Sequence, residues 1–244
     1  MKIKSLLLAA GILLSTGFVS TAQTVDEVIA AHLDAVGGAE KWQSFNSMRV
    51  TGNALQMGLT YPFTVISMRP NLSKVVAEVM GKQFIDAFDG QEAWGLNPFM
   101  GSPDPQKKTA EESKEAALQN FESDYINYKE KGYAITLEGK EEIEGAECYV
   151  LKVVKAEGHE EYHFIDAENY LLIMMRSFPQ SGPAKGQAIE TFFSDYQEVE
   201  GAGVLVAFTF EQRLGDQVVM QMTTDKIDFN PGDITAEMFA FPVK

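Results

Sequence analysis

The stretch RPNLSKVVAEVMGKQFIDAFDGQEAWGLNPF, residues 69–99, decides the fold. Apolar residues alternate with polar ones in runs at 72–80, 82–88 and 92–97, and a period of two belongs to a β-strand with one face buried. In LSKVVAEVM, Val75, Ala77 and Val79 share one face, while Lys74, Val76, Glu78 and Met80 share the other. Gly81 and the Asp89-Gly90 pair stand between the runs, where a chain that reverses needs turn residues. Sequential antiparallel strands follow.

The period extends both ways. Upstream runs at 47–57 and 60–68 complete a meander of five strands. Downstream strands are predicted at 133–138, 147–155, 160–166, 170–178, 189–199, 203–213 and 217–229, the even spacing of an all-β sheet or barrel. FIDA at 84–87 returns at 164–167, but its surroundings do not repeat, so two strand-turn units of one meander account for it.

Two helices interrupt this pattern. In TVDEVIAAHLDAVGG (24–38), Thr24 and Glu27 have capping-box spacing, the apolar stripe is Val25, Val28, Ile29, Leu33 and Val36, and Gly37-Gly38 supplies the stop. A second helix is predicted from Thr109, with Glu112 completing the box and Ala110, Ala117, Leu118 and Phe121 on one side. The continuation through Tyr125, Ile126 and Tyr128 is either a further helical piece or a loop packed by aromatics. Segments 97–108 and 179–187, rich in Pro and Gly, read as loops.

Residues 1–22 have the layout of a secretory signal peptide: Lys2 and Lys4, an apolar run from Leu6 to Leu14, then Ser20, Thr21 and Ala22. Cleavage after Ala22 leaves 23–244 as a single domain. The apolar run is shorter than the ~20 residues a membrane span needs. With Cys148 as the only cysteine, no lipid-anchoring thiol follows the signal, so a soluble periplasmic protein is expected. The net charge of −15 argues against nucleic acid and anionic membrane surfaces as partners.

Catalytic patterns are absent from the sequence. It has no Walker loop, dinucleotide fingerprint, Gly-x-Ser-x-Gly elbow or His-Glu-x-x-His helix. His159 and His163, four apart in a strand, would stand over about 13 Å apart, too far to share an ion. His32, His159 and His163 therefore read as structural or solvent-facing, and Glu141, Glu142 and Glu144 beside Gly145 as a solvated turn. Cys148 in ECYVLKVV reads as a small strand residue. No catalytic, metal or cofactor site is expected.

YLLIMM (170–175) and VLVAFTF (204–210) are apolar on both parities. A curved sheet with so much apolar lining and only two helices to cover it encloses a cavity, unless the helices and the sheet's own curl fill it as an ordinary core. The 11 methionines suit irregular apolar surfaces such as acyl chains.

RPNL at 69–72, DGQEAWGLNPF at 89–99 and the close MFAFPVK at 238–244 occur in the order seen in LolA-like proteins, periplasmic carriers of outer-membrane lipoproteins, and the chain resembles that family. The resemblance implies a mainly β fold, a strongly curved, incomplete antiparallel β-barrel covered by helices, with acyl chains held between sheet and lid. Its arginine, here Arg69, would hydrogen-bond the closed lid, for which a guanidinium has five fixed donors. The lipid-binding set it implies is Arg69, Phe63, Val65, Val75, Ala77, Val79, Trp94, Leu96, Phe99, Phe208 and Phe210, with Trp94, Leu96 and Phe99 either cavity wall or core.

The implied partners are acylated lipoprotein or lipid cargo, an inner-membrane release complex and an outer-membrane acceptor; a monomer is expected. The extra residues around 97–133 and the acidic surface depart from the compact carriers and leave cargo and partners open. Two other readings stand: a lipoprotein-sensing regulatory domain of the same fold, and a secreted all-β enzyme or carbohydrate binder.

Overall fold

The computed structural model describes residues 23–119, 122–155, 158–182 and 184–242; the expected signal peptide lies outside them. Helix α1 (Val25–Ala35) begins with the expected capping box: the Thr24 hydroxyl accepts from Glu27 N at 3.3 Å, and Glu27 Oε2 accepts from Thr24 N at 2.7 Å. It ends in a Schellman turn, Gly38 N donating to Leu33 O and Gly37 N to Asp34 O. Gly37 has φ +106°, and a Cβ there would lie 2.7 Å from Gly203 O. A short helix α2 (Ala39–Gln43) follows, too brief to show a helical period in the sequence.

The strands are β1 (Ser47–Gln56), β2 (Leu59–Met68), β3 (Leu72–Val79), β4 (Lys82–Phe88), β5 (Ala93–Leu96), β6 (Gln106–Lys107), β7 (Ala134–Ile143), β8 (Ala146–Val154), β9 (Glu160–Asp166), β10 (Leu172–Ser177), β11 (Ile189–Glu198), β12 (Leu205–Leu214) and β13 (Gln217–Phe229). Helix α3 (Ala110–Ala117), capped by Thr109 and Glu112, lies between β6 and β7. Two expectations are corrected. Gln106–Lys107 forms an edge strand inside the expected loop, and β7 runs on through Glu141 and Glu142, so that the turn is only Glu144-Gly145, both at positive φ.

One antiparallel sheet results, in the order β6-β5-β4-β3-β2-β1-β13-β12-β11-β10-β9-β8-β7. The first and last strands pair in its middle, and two meanders run outward from them to β6 and β7. These two edges are consecutive in the chain. Residues 108–133, a strap that includes α3, must therefore cross from one edge to the other over the open side of a half-barrel.

Cross-strand partners share a face. One row is Ile227–Val50–Val65–Val75 and the next is Thr224–Gly52–Phe63–Ala77. The helices pack on this inner face: Trp42 and Phe45 meet Ile227 in one cluster, and Val28 and Ile29 meet Ile135, Leu151, Val153 and Ile165 in another. The strap adds Ile126 to the first cluster and Tyr125 to the second.

The opposite face is covered too. Cys148, Val150, Phe164 and Met174 bury one another there, which explains why YLLIMM is apolar on both parities. Near the other edge the C-terminal segment lies over Trp94, whose indole N–H donates to Phe239 O at 2.7 Å. Lys74 Nζ donates to Met238 O at 2.9 Å, and Phe241 meets the Trp94 ring edge-on.

Of the two expected roles, structural or solvent-facing, two of the three histidines take the structural one. His32 and His163 are buried, His32 Nδ1 lying 2.8 Å from Tyr170 O and His163 Nδ1 2.8 Å from the Tyr125 hydroxyl. Their partners come from distant segments, so the local sequence leaves the choice between the two roles open.

Candidate lipid-binding site

An apolar hollow of about 240 Å³ opens on the inner face, walled by Val50, Phe63, Val65, Phe210, Met220 and Met222. Thr191, Gln212 and Thr224 complete the lining. The register places all nine on one side of the sheet: Thr191 faces Gln212 and Gln212 faces Met220, Phe210 faces Met222, and Gly52 lies between Thr224 and Phe63. A Cβ at Gly52 would lie 2.1 Å from Thr223 O and 2.9 Å from the Phe63 ring. Glycine thus lets Phe63 lie across β1. Trp42 and Phe45 pack one end of the inner face, and Val50 belongs both to their cluster and to the wall of the hollow.

Of the residues expected to bind lipid, Phe63, Val65 and Phe210 line the hollow. Ala77 and Val79 extend its wall beside Phe63, Val75 pairs with Val65, and Phe208 packs on the Trp42 cluster. Trp94, Leu96 and Phe99 do not line it. Trp94 pairs with Ala87 and Ala87 with Lys74, which puts Trp94 and, two residues on, Leu96 on the opposite face. Phe99 lies half exposed in the β5–β6 loop, with Lys82 Nζ 5.4 Å from its ring centre.

Val50, Thr191, Gln212, Met220, Met222 and Thr224 went unrecognised in the sequence. The alternation Met220, Met222, Thr224 is legible as one face of a strand. That this face meets Phe63 depends on pairing between the first and last strands.

The exposed large apolar residues among those described share one end of the half-barrel. Leu55, Met57 and Leu59 stand at the β1–β2 turn, Met80 at β3–β4, Phe99 and Met100 at β5–β6, and Val218 and Val219 at β12–β13. Antiparallel alternation puts these four turns on the same rim. The Gln212–Met220 row of the hollow is the one nearest to it.

Arg69 occupies the opposite end, between β2 and β3. Its Nε donates to Phe45 O at 2.7 Å and its Nη2 to Trp42 O at 3.1 Å, joining the end of α2, while its Nη1 lies 2.5 Å from Glu122 Oε2 on the strap. Asn71 Nδ2 donates to Ala117 O at the end of α3. The Arg-Pro-Asn corner thus holds two helix ends and the strap. Burial alone would raise the Glu122 carboxyl, but Lys131 and Arg69 outweigh it and hold it below the ordinary value. A wider recess of about 660 Å³ borders Arg69, Glu122 and Lys131. Pro70, Ala117, Leu118 and Tyr133 complete its lining, and its three charges pair with one another at the seam between strap and sheet.

Asp124, Glu161 and His163 converge within 4.8 Å on the inner side of the strap. Lys155 Nζ pairs with both carboxylates, 2.8 Å from Asp124 and 2.9 Å from Glu161, so an ammonium already balances their charge. Burial opposes ionisation of Glu161, yet the hydrogen bond from His163 and the charge of Lys155 prevail and hold it at about 2. Burial pushes the Cys148 thiol up to about 11, which suppresses thiolate chemistry. Among the described residues no helix is long and apolar enough to cross a membrane.

No family model and no curated protein matches the sequence. Solved structures match in fold. A DUF1329 family protein from Desulfovibrio piger superposes with a TM-score of 0.59 at 12% identity, over 90% of this chain and 98% of the other. A LolA superfamily protein from Nitrosomonas europaea gives 0.58 at 14% over the same shares. A domain described as an outer membrane lipoprotein-sorting protein, from Vibrio parahaemolyticus, gives 0.57 at 14%, over 87% and 94%. The chain shares the open half-barrel fold of these three structures, as its motifs implied.

Proposed function

We propose that this protein is a periplasmic carrier that takes the acyl chains of lipoproteins, or of lipids, into the hollow on its inner face and ferries them toward the outer membrane. The observation that carries this reading is the hollow itself, a mostly apolar space that the protein's own side chains leave unfilled. Each methylene moved into it from water contributes about 0.8 kcal/mol, enough to hold a chain with no covalent step. The space equals about eight water volumes at roughly 30 Å³ each, so it takes a segment of one chain. A larger cargo requires the strap to shift, and the Arg69 corner is the latch that such a shift releases. The apolar rim beside the hollow supports entry from that end.

The test is native mass spectrometry of protein purified from a lysate containing membranes, followed by transfer to acceptor vesicles. A carrier retains acylated cargo and delivers it. Protein that binds cargo but never delivers it is acting as the sensing domain instead, and protein that neither retains cargo nor takes up a fluorescent fatty acid is no carrier.

A further inference from the structure

Met57 and Met80 take a backbone conformation that methionine rarely adopts. Gln56 pairs with Leu59 and Val79 with Lys82, so Met57-Gly58 and Met80-Gly81 are two-residue hairpin turns. Both central residues have positive φ, 51° and 77° in the first turn and 52° and 72° in the second, which makes each a type I′ turn. The first central position of that turn favours Asn, Asp or Gly. A third turn of this kind, between Ile143 and Ala146, carries Glu144 there, so the geometry has no need of methionine. Met57 is also 95% exposed and Met80 76%, and neither is held by packing. A strained backbone and an apolar side chain in water thus coincide at two neighbouring tips, and asparagine would relieve both.

The next tip along this edge is apolar as well. In the β5–β6 loop Met100 is 81% exposed, Phe99 is half exposed, and Met100 N donates to Asn97 O at 3.1 Å. Alternate turns of an antiparallel sheet stand about 10 Å apart, so the three tips make a row of apolar fingers about 20 Å long. Residues 55–60, 79–83 and 97–102 hold no Asp or Glu and a single cation, Lys82, in a chain with 35 acidic residues. Lys82 Nζ lies 5.4 Å from the centre of the Phe99 ring, and such a pair suits a headgroup layer, with the ring inward and the ammonium at the phosphates. The β12–β13 turn, which carries Asp216, stands outside the row.

We propose that these three tips are a membrane-docking edge, which enters the headgroup layer of a bilayer of zwitterionic lipid. Shape and charge select this partner. A protein groove would have to receive three separate fingers along a curved edge, whereas a bilayer yields to each one independently. Tips without carboxylates meet no repulsion from lipid phosphate, and one lysine is too little to draw so acidic a chain to anionic lipid. Docking goes beyond the acyl-binding reading and does not depend on it, because none of these tip residues lines the hollow.

The experiment is sedimentation with sucrose-loaded phosphatidylcholine vesicles, using the chain from residue 23, since the apolar run from Leu6 to Leu14 would itself enter lipid. The native chain should bind. Met57→Asn with Met80→Asn should lower the partition at least about tenfold and melt at the same temperature or higher, since asparagine suits both turns. Met57→Leu with Met80→Leu should keep the partition within about threefold, and the affinity of the asparagine pair for a fluorescent fatty acid should stay within about twofold of native. If the native chain stays in the supernatant, or the asparagine pair binds vesicles equally well, the tips do not dock on lipid. Tighter binding once a third of the lipid is phosphatidylglycerol would assign docking to charge and overturn the role of the tips. A dimer that the asparagine pair dissolves, with no vesicle binding, would give the tips to a second copy of the chain. An asparagine pair that melts lower also overturns the proposal, because the methionines then serve the fold. Vesicle binding by a chain that takes up no fatty acid would support docking and overturn the acyl reading alone.

Discussion

Arg69 Nη1 lies 2.5 Å from Glu122 Oε2, and this ion pair ties the corner between β2 and β3 to the strap that crosses the open side of the half-barrel. Both side chains are mostly buried, at 28% and 12% exposure, and Arg69 also bonds the carbonyls of Trp42 and Phe45. Arg69→Leu removes all three links and leaves Glu122 with Lys131 alone. The expected cost is about 2–4 kcal/mol in urea unfolding, with faster proteolysis within 108–133. Arg69→Lys should recover only part of it, since an ammonium lacks the planar fork that reaches three partners. Equal stability for all three proteins would show that the corner does not hold the strap.

Met222 sits in the middle row of the hollow. Met222→Trp places a large ring into existing space, so stability should change by less than about 1.5 kcal/mol while fatty-acid uptake falls at least about tenfold. Unaltered uptake, measured by fluorescence titration, would place the acyl site elsewhere.

Gly52 has no room for a side chain, because a Cβ would press on Thr223 O and on Phe63. Gly52→Ala should destabilise by about 1–3 kcal/mol as β1 and β13 are pushed apart. The loss should appear in thermal melts, with faster amide exchange in both strands.

Trp94 lies on the face away from the hollow, under the C-terminal segment. Trp94→Phe leaves the Phe239 carbonyl without its donor and should cost about 1–3 kcal/mol. Fatty-acid affinity should stay within about twofold, as expected for sites without shared partners. A large loss of affinity at unchanged stability would return Trp94 to the binding site.

Burial holds His32 at about 4 against 6.5 for a free imidazole; the Tyr170 carbonyl pulls the other way, and His163 adds to the lowering. Between these values the unfolded chain binds a proton that the folded chain refuses, so stability falls as pH drops through the window and levels off for this group below about 4. The full loss is about 3 kcal/mol. Glu161, held at about 2, adds its own loss only below 4.5. His32→Gln should flatten the dependence of the urea midpoint on pH between 6.5 and 4, and an unchanged slope would exclude His32 as its source.

Strand positions were legible because the alternation of LSKVVAEVM and its neighbours is a local signal that one buried face imposes on each strand. Both capping boxes were legible for the same reason, since Thr24 with Glu27 and Thr109 with Glu112 satisfy backbone donors three residues away. Short elements such as α2 and β6 left too few residues to show a period. Which face points inward was partly legible: Phe63, Val65 and Phe210 face the hollow, whereas Trp94, read as cavity wall or core, is buried on the other face. Its burial reads the same in sequence whether helices or the C-terminal tail do the covering.

The sequence by itself determined the longer strands, both capping boxes and most of the turns, because neighbouring residues settle each of them. Only the tertiary structure decided that β1 pairs with β13, that residues 108–133 bridge the two sheet edges, and that Met220, Met222 and Thr224 share a hollow with Phe63. The physical reason is range. A cavity is the space left between side chains that meet from distant parts of the chain, and no local pattern of residues encodes what fails to fill it.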